Sequence, residues 1–440
     1  MKRILFHYWG WLGALLFWCA LLFINGLDLF PSLQFRGCRY VGVDFDQYYA
    51  AGIAAYCSLW DVMYPDPAHY TKGHRPAEAP YRESMATELQ IRGASSQTKN
   101  IYPPPTALLF CPLGLWNYAS AQRVFVVVLA ISVICLLILL QRECQDLGIP
   151  LWAANTIVFF AATGLPVSES VMLGNITPAV GLFGILALRG IRSSHSFGTV
   201  AGFVGAGLTK GFSVAWIPAL FAWKRWRTIA WGGVVAILTI ILCRALGCKL
   251  GVWEEYAKDV LPISRGNLYR IGDSNLGFPS FFAWLFHWNS VPRPVSRVFT
   301  MTQLLCFGTA YGLSLKASRC RANVCFAQGI ALFCSTLVFQ TFSTVCWPHY
   351  SVNILPFLPV AIAAAGNRKA SLLVLLVGFS MTWFPIGNAF KYLFHVPILG
   401  FGRFFGYVIL IAWSFGELVR LTRDSSTWKV SGKSISTSPS

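Results

Sequence analysis

Long apolar runs alternate along this chain with short polar connectors. Runs that reach or approach the roughly 20 residues a helix needs to cross a bilayer lie near 9–29, 121–140, 150–165, 172–189, 197–209, 211–223, 228–246, 298–315, 324–340, 348–365, 370–386 and 398–419. This pattern predicts an all-α, multi-pass membrane protein of about 10–12 spans. Lys210 divides 197–223 into two halves, which reads either as a hairpin of short helices or as one long span. Two further apolar stretches, 103–116 and 276–288, adjoin prolines and are too short to cross. They read as re-entrant or interfacial segments whose backbone is covered by protein.

Composition supports the same class. Only 12% of the 440 residues are charged while 55% are hydrophobic, whereas soluble domains carry roughly 25% charged residues. An ordinary cytosolic enzyme, a disordered chain and a secreted disulfide scaffold are thereby excluded. The net charge of +18 invites a nucleic-acid reading, but the cations sit in short clusters between apolar runs, and no nucleic-acid partner is expected. With the N-terminus inside, the inner segments hold 17 cations and four acids, mostly in short connectors, against 18 cations and 13 acids outside. Short loops near span ends decide orientation, so both termini are expected inside. Two large loops, 30–104 and 247–297, then lie outside. The first apolar run lacks a small-x-small cleavage pattern after it and reads as a retained anchor. One polytopic domain over 1–423 precedes a Ser/Thr-rich tail, 424–440, with the composition of a disordered segment. The 13 Cys are scattered without a C-x-x-C pair and read as small buried hydrophobes. Cys38 and Cys57 are candidates to pair if the outer compartment is oxidising.

Polar groups at membrane depth are costly, so each needs a reason. In 42–65, Tyr48, Ala51, Ala55 and Leu59 recur at spacings of three and four, predicting an amphipathic helix along the membrane surface. Asp44 falls at its N-terminus, either as an N-cap carboxylate or as a group projecting into a site. Asp44-Phe45-Asp46 spells the D-x-D pattern of metal-dependent nucleotide-sugar enzymes, but no soluble nucleotide-binding domain accompanies it, and no metal site is expected. Pro103–Pro105 enter the membrane stiffly and, with the aromatic-rich 278–288 region, are candidate groove walls. Asn175 reads as a hydrogen-bonding group at a helix end, although Asn175-Ile-Thr177 matches a glycosylation acceptor on paper. Lys210, flanked by glycine and apolar residues, either snorkels to an interface or pairs with an anion. Trp347 and Tyr350 suit an interfacial belt. His349 between them is not explained that way, because imidazole has a donor and an acceptor to satisfy.

Five segments in order, DFDQYYAAGIAA (44–55), IYPPPTALLFCPL (101–113), LGNITPAVGLFGILAL (173–188), GLTKGFSVAWIPAL followed by KRWR (207–227) and WPHYSVNILPFLP (347–359), resemble glycosyltransferase family 87, the polyprenol-phosphate-mannose-dependent mannosyltransferases. The resemblance implies a GT-C-like helical membrane body enclosing a groove for a lipid-linked sugar donor. It implies transfer of a hexose, mannose in the family, to a lipid or glycan acceptor at the outer face of the cytoplasmic membrane, without a cofactor. By that likeness Asp44 is the catalytic base. Lys210, His349, Asn175, Tyr48, Tyr49 and Tyr102 are then donor-phosphate or substrate-binding residues. Asn175 stands where the family commonly has Gln, and GDSNLGFPSFF at 272–282 matches only loosely a segment usually carrying Asn and Ser close together. The competing readings are a secondary transporter, which would show internal repeats and short loops, and a non-catalytic subunit of an envelope-assembly complex.

Overall fold

A computed structural model describes residues 2–24, 43–65, 81–95, 102–193, 196–261, 275, 277–288, 291–319, 324–343 and 346–423. Cys38 and the 424–440 tail lie outside them. Regular structure among the described residues is entirely helical. The elements that matter here are α1 (Lys2–Ile24), α2 (Val43–Tyr56), α3 (Pro104–Phe110), α4 (Tyr118–Asp146), α5 (Leu151–Thr163), α6 (Leu165–Leu173), α7 (Thr177–Arg192) and α8 (Ser196–Lys210). They continue with α9 (Trp226–Ala245), α10 (Phe278–Leu285), α11 (Arg293–Ala317), α12 (Val324–Thr341), α13 (Lys369–Trp383) and α14 (Gly402–Arg423). A 3-10 helix, Pro348–Phe357, follows α12.

Among the described residues six helices are long and apolar enough to cross a membrane: α4, the α5–α6 pair, α9, α11, α12 and Pro397–Arg423. Lys369–Trp383 with Asn388–Phe394, bent by 80°, makes a seventh if that pair is one span. The chain is therefore an all-α multi-pass membrane protein. Several apolar runs fold as shorter pieces than hydropathy alone suggests. α7 and α8 have 16 and 15 residues, about 23 Å at 1.5 Å per residue. Gly211, at φ +68, stops the helix after Lys210, and the chain returns through Ile217–Ala222 until Arg225 Nη2 donates to Ile191 O at 2.9 Å. The 197–223 stretch is thus a hairpin of short helices.

Helix ends follow local chemistry. The Asn117 side chain caps α4 by accepting from Ser120 N at 3.0 Å. Pro103 is extended and Pro104 opens α3, where a missing N–H costs nothing. α12 is buried nearly throughout and forms the bundle centre, against α11, α14 and the 3-10 helix. α1 lies on α5, and its Trp11 Nε1 donates to Gln141 Oε1 of α4 at 2.9 Å.

The bundle has two chemically distinct ends. At one, Glu143 is ion-paired with Arg189 at 2.9 Å and Arg192 at 2.8 Å. There too Glu417 meets Arg368 at 2.7 Å and Arg420 at 2.9 Å. These residues all belong to the set that charge counting placed inside. α7 runs from this end to the opposite one, where Asn175 and Asp44 meet.

The α2 helix departs from expectation. Residues 45 and 47 through 55 are all buried, so it is enclosed rather than amphipathic at a surface. α3 and the turn after it pack so closely on one side that a Cβ on Gly52 would sit 2.3 Å from Phe110 O. Apolar periodicity on the neighbouring loop segments covers the remaining faces, with Met85 and Leu89 buried in the same cluster. Cys57, at its end, has Sγ 3.6 Å from Glu88 Oε1 and 3.7 Å from Arg92 Nη2.

Candidate active site

Asn175 is the hub of the site, and its position is set by backbone. α6 ends at Gly174 with φ +65, and a Cβ there would lie 2.8 Å from Phe45 Cβ. Only glycine satisfies both the left-handed turn and the close approach. The turn brings Asn175 against the first turn of α2. Its Oδ1 accepts from Thr177 N at 2.9 Å and Thr177 Oγ1 at 2.5 Å. A backbone N–H can only donate, so the opposite atom of the amide is Nδ2. That nitrogen donates to Asp44 Oδ2 at 2.6 Å and lies 3.0 Å from His349 Nε2.

The consequence passes to His349. With Nε2 accepting from Asn175, the neutral ring carries its hydrogen on Nδ1. Nδ1 is buried and has no hydrogen-bond partner, although the residue is only 3% exposed. A buried donor left unmade costs about 1–3 kcal/mol. Asp44 is partly exposed, and its Oδ1 is 3.4 Å from Gln47 Nε2, one turn along α2.

Lys210 completes the cluster. Its Nζ stands 4.4 Å from the centroid of the Tyr350 ring, whose own partner in edge-to-face contact is His349 at 4.8 Å. Lys210 interacts electrostatically with Asp44 and with His349, and no described carboxylate pairs with it directly. It is a cation held over an aromatic face.

Tyr48 is fully buried, and its hydroxyl accepts from Tyr102 OH at 3.0 Å, with Ile176 N 3.5 Å away. Of the seven residues singled out from sequence, Tyr49 is the one the fold leaves out. One residue along a helix is a rotation of about 100°, and its hydroxyl donates to Trp116 O at 2.8 Å on another side of α2. Asp44 and Asp46 are likewise about 200° apart, and Asp46 accepts from Tyr118 OH. Burial raises the Asp46 carboxyl to about 6, with the Tyr118 bond opposing it and the Asp44 charge adding to it. Among the described residues no three His, Cys, Asp or Glu side chains are grouped to hold a metal ion.

Sequence reasoning missed Gln47, Glu169 and Arg403. Glu169, on α6, interacts electrostatically with both Asp44 and Arg403. Glu169 and Arg403 are each an isolated charge beside an apolar run, the same signal that drew attention to Lys210.

The sequence profile of glycosyltransferase family 87 matches residues 100–348, more than half of the chain. The matched stretch contains Tyr102, Asn175, Lys210 and Glu169. It begins after Asp44, Tyr48 and Tyr49 and stops one residue before His349. No individual curated protein matches the chain. The chain belongs to glycosyltransferase family 87 and is a multi-pass membrane glycosyltransferase.

Proposed function

We propose that this protein transfers a hexose, mannose foremost, from a polyprenyl-phosphate sugar to an acceptor hydroxyl at the outer face of the membrane, with inversion and with Asp44 as base. The observation that carries this reading is that Asn175 joins a partly exposed Asp44 carboxylate to His349, whose Nδ1–H is buried and unpartnered, while the Lys210 ammonium stands over the Tyr350 ring that His349 also touches. Negative charge for proton abstraction and positive charge for a leaving phosphate stand side by side.

In the proposed reaction the acceptor oxygen attacks the anomeric carbon while Asp44 takes its proton. The bond from that carbon to the phosphate oxygen breaks, and the lipid monophosphate leaves with the electron pair. Lys210 and His349 Nδ1–H neutralise its developing charge. A monophosphate is a stable anion and needs no general acid. Asn175, by donating to Asp44 Oδ2, keeps that carboxylate ionised and aimed. Tyr48 and Tyr102 border the cluster, with the Tyr102 hydroxyl donating to that of Tyr48. The charge distribution supports the outer placement, because the cation-rich short connectors gather at the end opposite Asp44.

The test is transfer by purified protein from polyprenyl-phosphate mannose to acceptors in a lipid extract. Asp44→Asn keeps the shape of the side chain and should lower the rate by about 10²–10⁴, the usual worth of a positioned base. A folded Asp44→Asn protein with full activity sinks the assignment. Strong inhibition by EDTA contradicts the use of Lys210 and His349 in place of a metal.

A further inference from the structure

A second polar focus lies on α6 and α14. Arg403, in the first turn of α14, is 6% exposed, and its Nε and Nη2 are buried without hydrogen-bond partners. These two nitrogens form the side-on edge of the guanidinium, the fork that matches a carboxylate or phosphate in bidentate geometry. A buried cation with both fork donors unpaired is costly, and nothing in the helix packing requires an arginine there. Leucine or methionine would fill the space without that cost.

The surroundings are those of a binding site. Glu169 is close enough to interact electrostatically with Arg403 but forms no ion pair with it, and Glu169 Oε2 is also buried without a partner. Phe404, beside Arg403, stacks on Phe281 with centroids 4.5 Å apart and meets Phe278 edge-on at 4.9 Å. Phe401 packs on Trp284 at 4.8 Å. The α10 aromatics therefore pack on the turn of α14 that carries Arg403, and Phe286 at their far end is exposed.

Geometry ties this pair to Asp44, because Glu169 lies on α6, whose end at Gly174 abuts Phe45, the residue after Asp44. Asp44 interacts with Lys210 on one hand and with Glu169 on the other, and Glu169 in turn with Arg403. A base must touch the acceptor hydroxyl, with the donor phosphate on one flank and the body of the acceptor on the other. We infer that Arg403 and Glu169 form the acceptor subsite, Arg403 gripping an oxyanion carried by the acceptor and Glu169 accepting from a neighbouring hydroxyl, with the α10 aromatics bordering the acceptor's apolar part. The words donor and acceptor rest on the transferase reading above. The selection of an oxyanion by Arg403 does not.

Three probes of one shape separate the possibilities: octyl α-mannoside, its 6-phosphate and its 6-carboxylate. Binding is measured on the full chain in detergent as the shift in thermal midpoint, and transfer from polyprenyl-phosphate mannose is measured in parallel. The wild type should bind at least one anionic probe about tenfold or more tighter than the neutral glycoside. Arg403→Lys keeps the charge and loses the fork, so that preference should fall at least tenfold while the neutral glycoside and the KM for the donor stay within about threefold. Glu169→Gln should weaken all three probes and leave the anion preference in place. Which anion is favoured identifies the oxyanion as phosphate or carboxylate. Equal affinity of the wild type for neutral and anionic probes overturns the assignment. So does an Arg403→Lys loss shared by all three probes, or one that appears in the donor KM instead. Anion-selective binding without any transfer would leave the subsite standing and count against the transferase reading.

Discussion

Asn175→Asp changes one atom and tests the whole cluster. Oδ1 keeps its two bonds from Thr177, so the turn after α6 is preserved. The donor toward Asp44 Oδ2, 2.6 Å away, becomes a second carboxylate oxygen. Two unit charges about 4 Å apart at an effective dielectric near 20 repel by about 4 kcal/mol, so the pair retains a proton at neutral pH. A protonated Asp44 cannot accept another, and the rate at pH 7 should fall by about two to three decades at roughly 1.4 kcal/mol per decade. Raising the pH removes the shared proton and should restore part of the activity, a rise the wild type lacks. Asn175→Ala is the companion. It deletes a hydrogen bond to a charged group, worth about 1.5–3 kcal/mol, which corresponds to a loss of about one to two decades without a new pH dependence. The assay is initial rate at saturating polyprenyl-phosphate mannose from pH 5 to 9, with the thermal midpoint of each variant measured alongside. An Asn175→Asp enzyme within threefold of wild type at pH 7, with an unchanged profile, would refute the reasoning.

Two stability predictions follow from α2. Burial raises the Asp46 carboxyl from 3.8 to about 6, so between those values the folded state holds a proton that the unfolded state has released. The stability that Asp46 contributes is full below about pH 4, falls as pH rises, and is lost above about 6. Asp46→Asn does not titrate and still accepts from Tyr118, so it should stabilise the protein by about 1–2 kcal/mol at pH 8, out of about 3 set by the titration, and by little at pH 4. Thermal midpoints in detergent across pH check this, and a gain that is larger at pH 4 contradicts it. Gly52→Ala places a Cβ 2.3 Å from Phe110 O, and overpacking of this kind costs about 1–3 kcal/mol. The thermal midpoint should drop, and an unchanged midpoint would show that α2 shifts freely against α3.

Parts of this molecule were plain in its letters because they depend on neighbours in sequence. Apolar runs of 18 or more residues specify helices whatever they pack against, and isolated charges between them advertise themselves. Hence Asp44, Lys210 and the prolines at 103–105 stood out, and Lys210 marked a real break in its apolar run. Asn175 drew less weight than it holds, since an amide at a helix end is common. Its importance comes from serving residues 131 and 174 positions away. Tyr49 looked equivalent to Tyr48, and only the handedness of α2 against its surroundings separates them. Glu169 and Arg403 carried a visible signal but no motif around them.

The sequence by itself determined an all-helical, multi-pass protein whose short connectors on one side are rich in cations and poor in acids, because hydropathy and charge placement are local properties that the bilayer reads directly. The tertiary structure alone decided that α2 is buried on every side and that Asn175 joins Asp44 to His349. It also decided that Glu169 of α6 stands near both Asp44 and Arg403 of α14. Those outcomes depend on how closely backbones approach, as at Gly52 and Gly174, and on the direction each side chain takes from its helix. Both are set by packing between segments far apart in sequence.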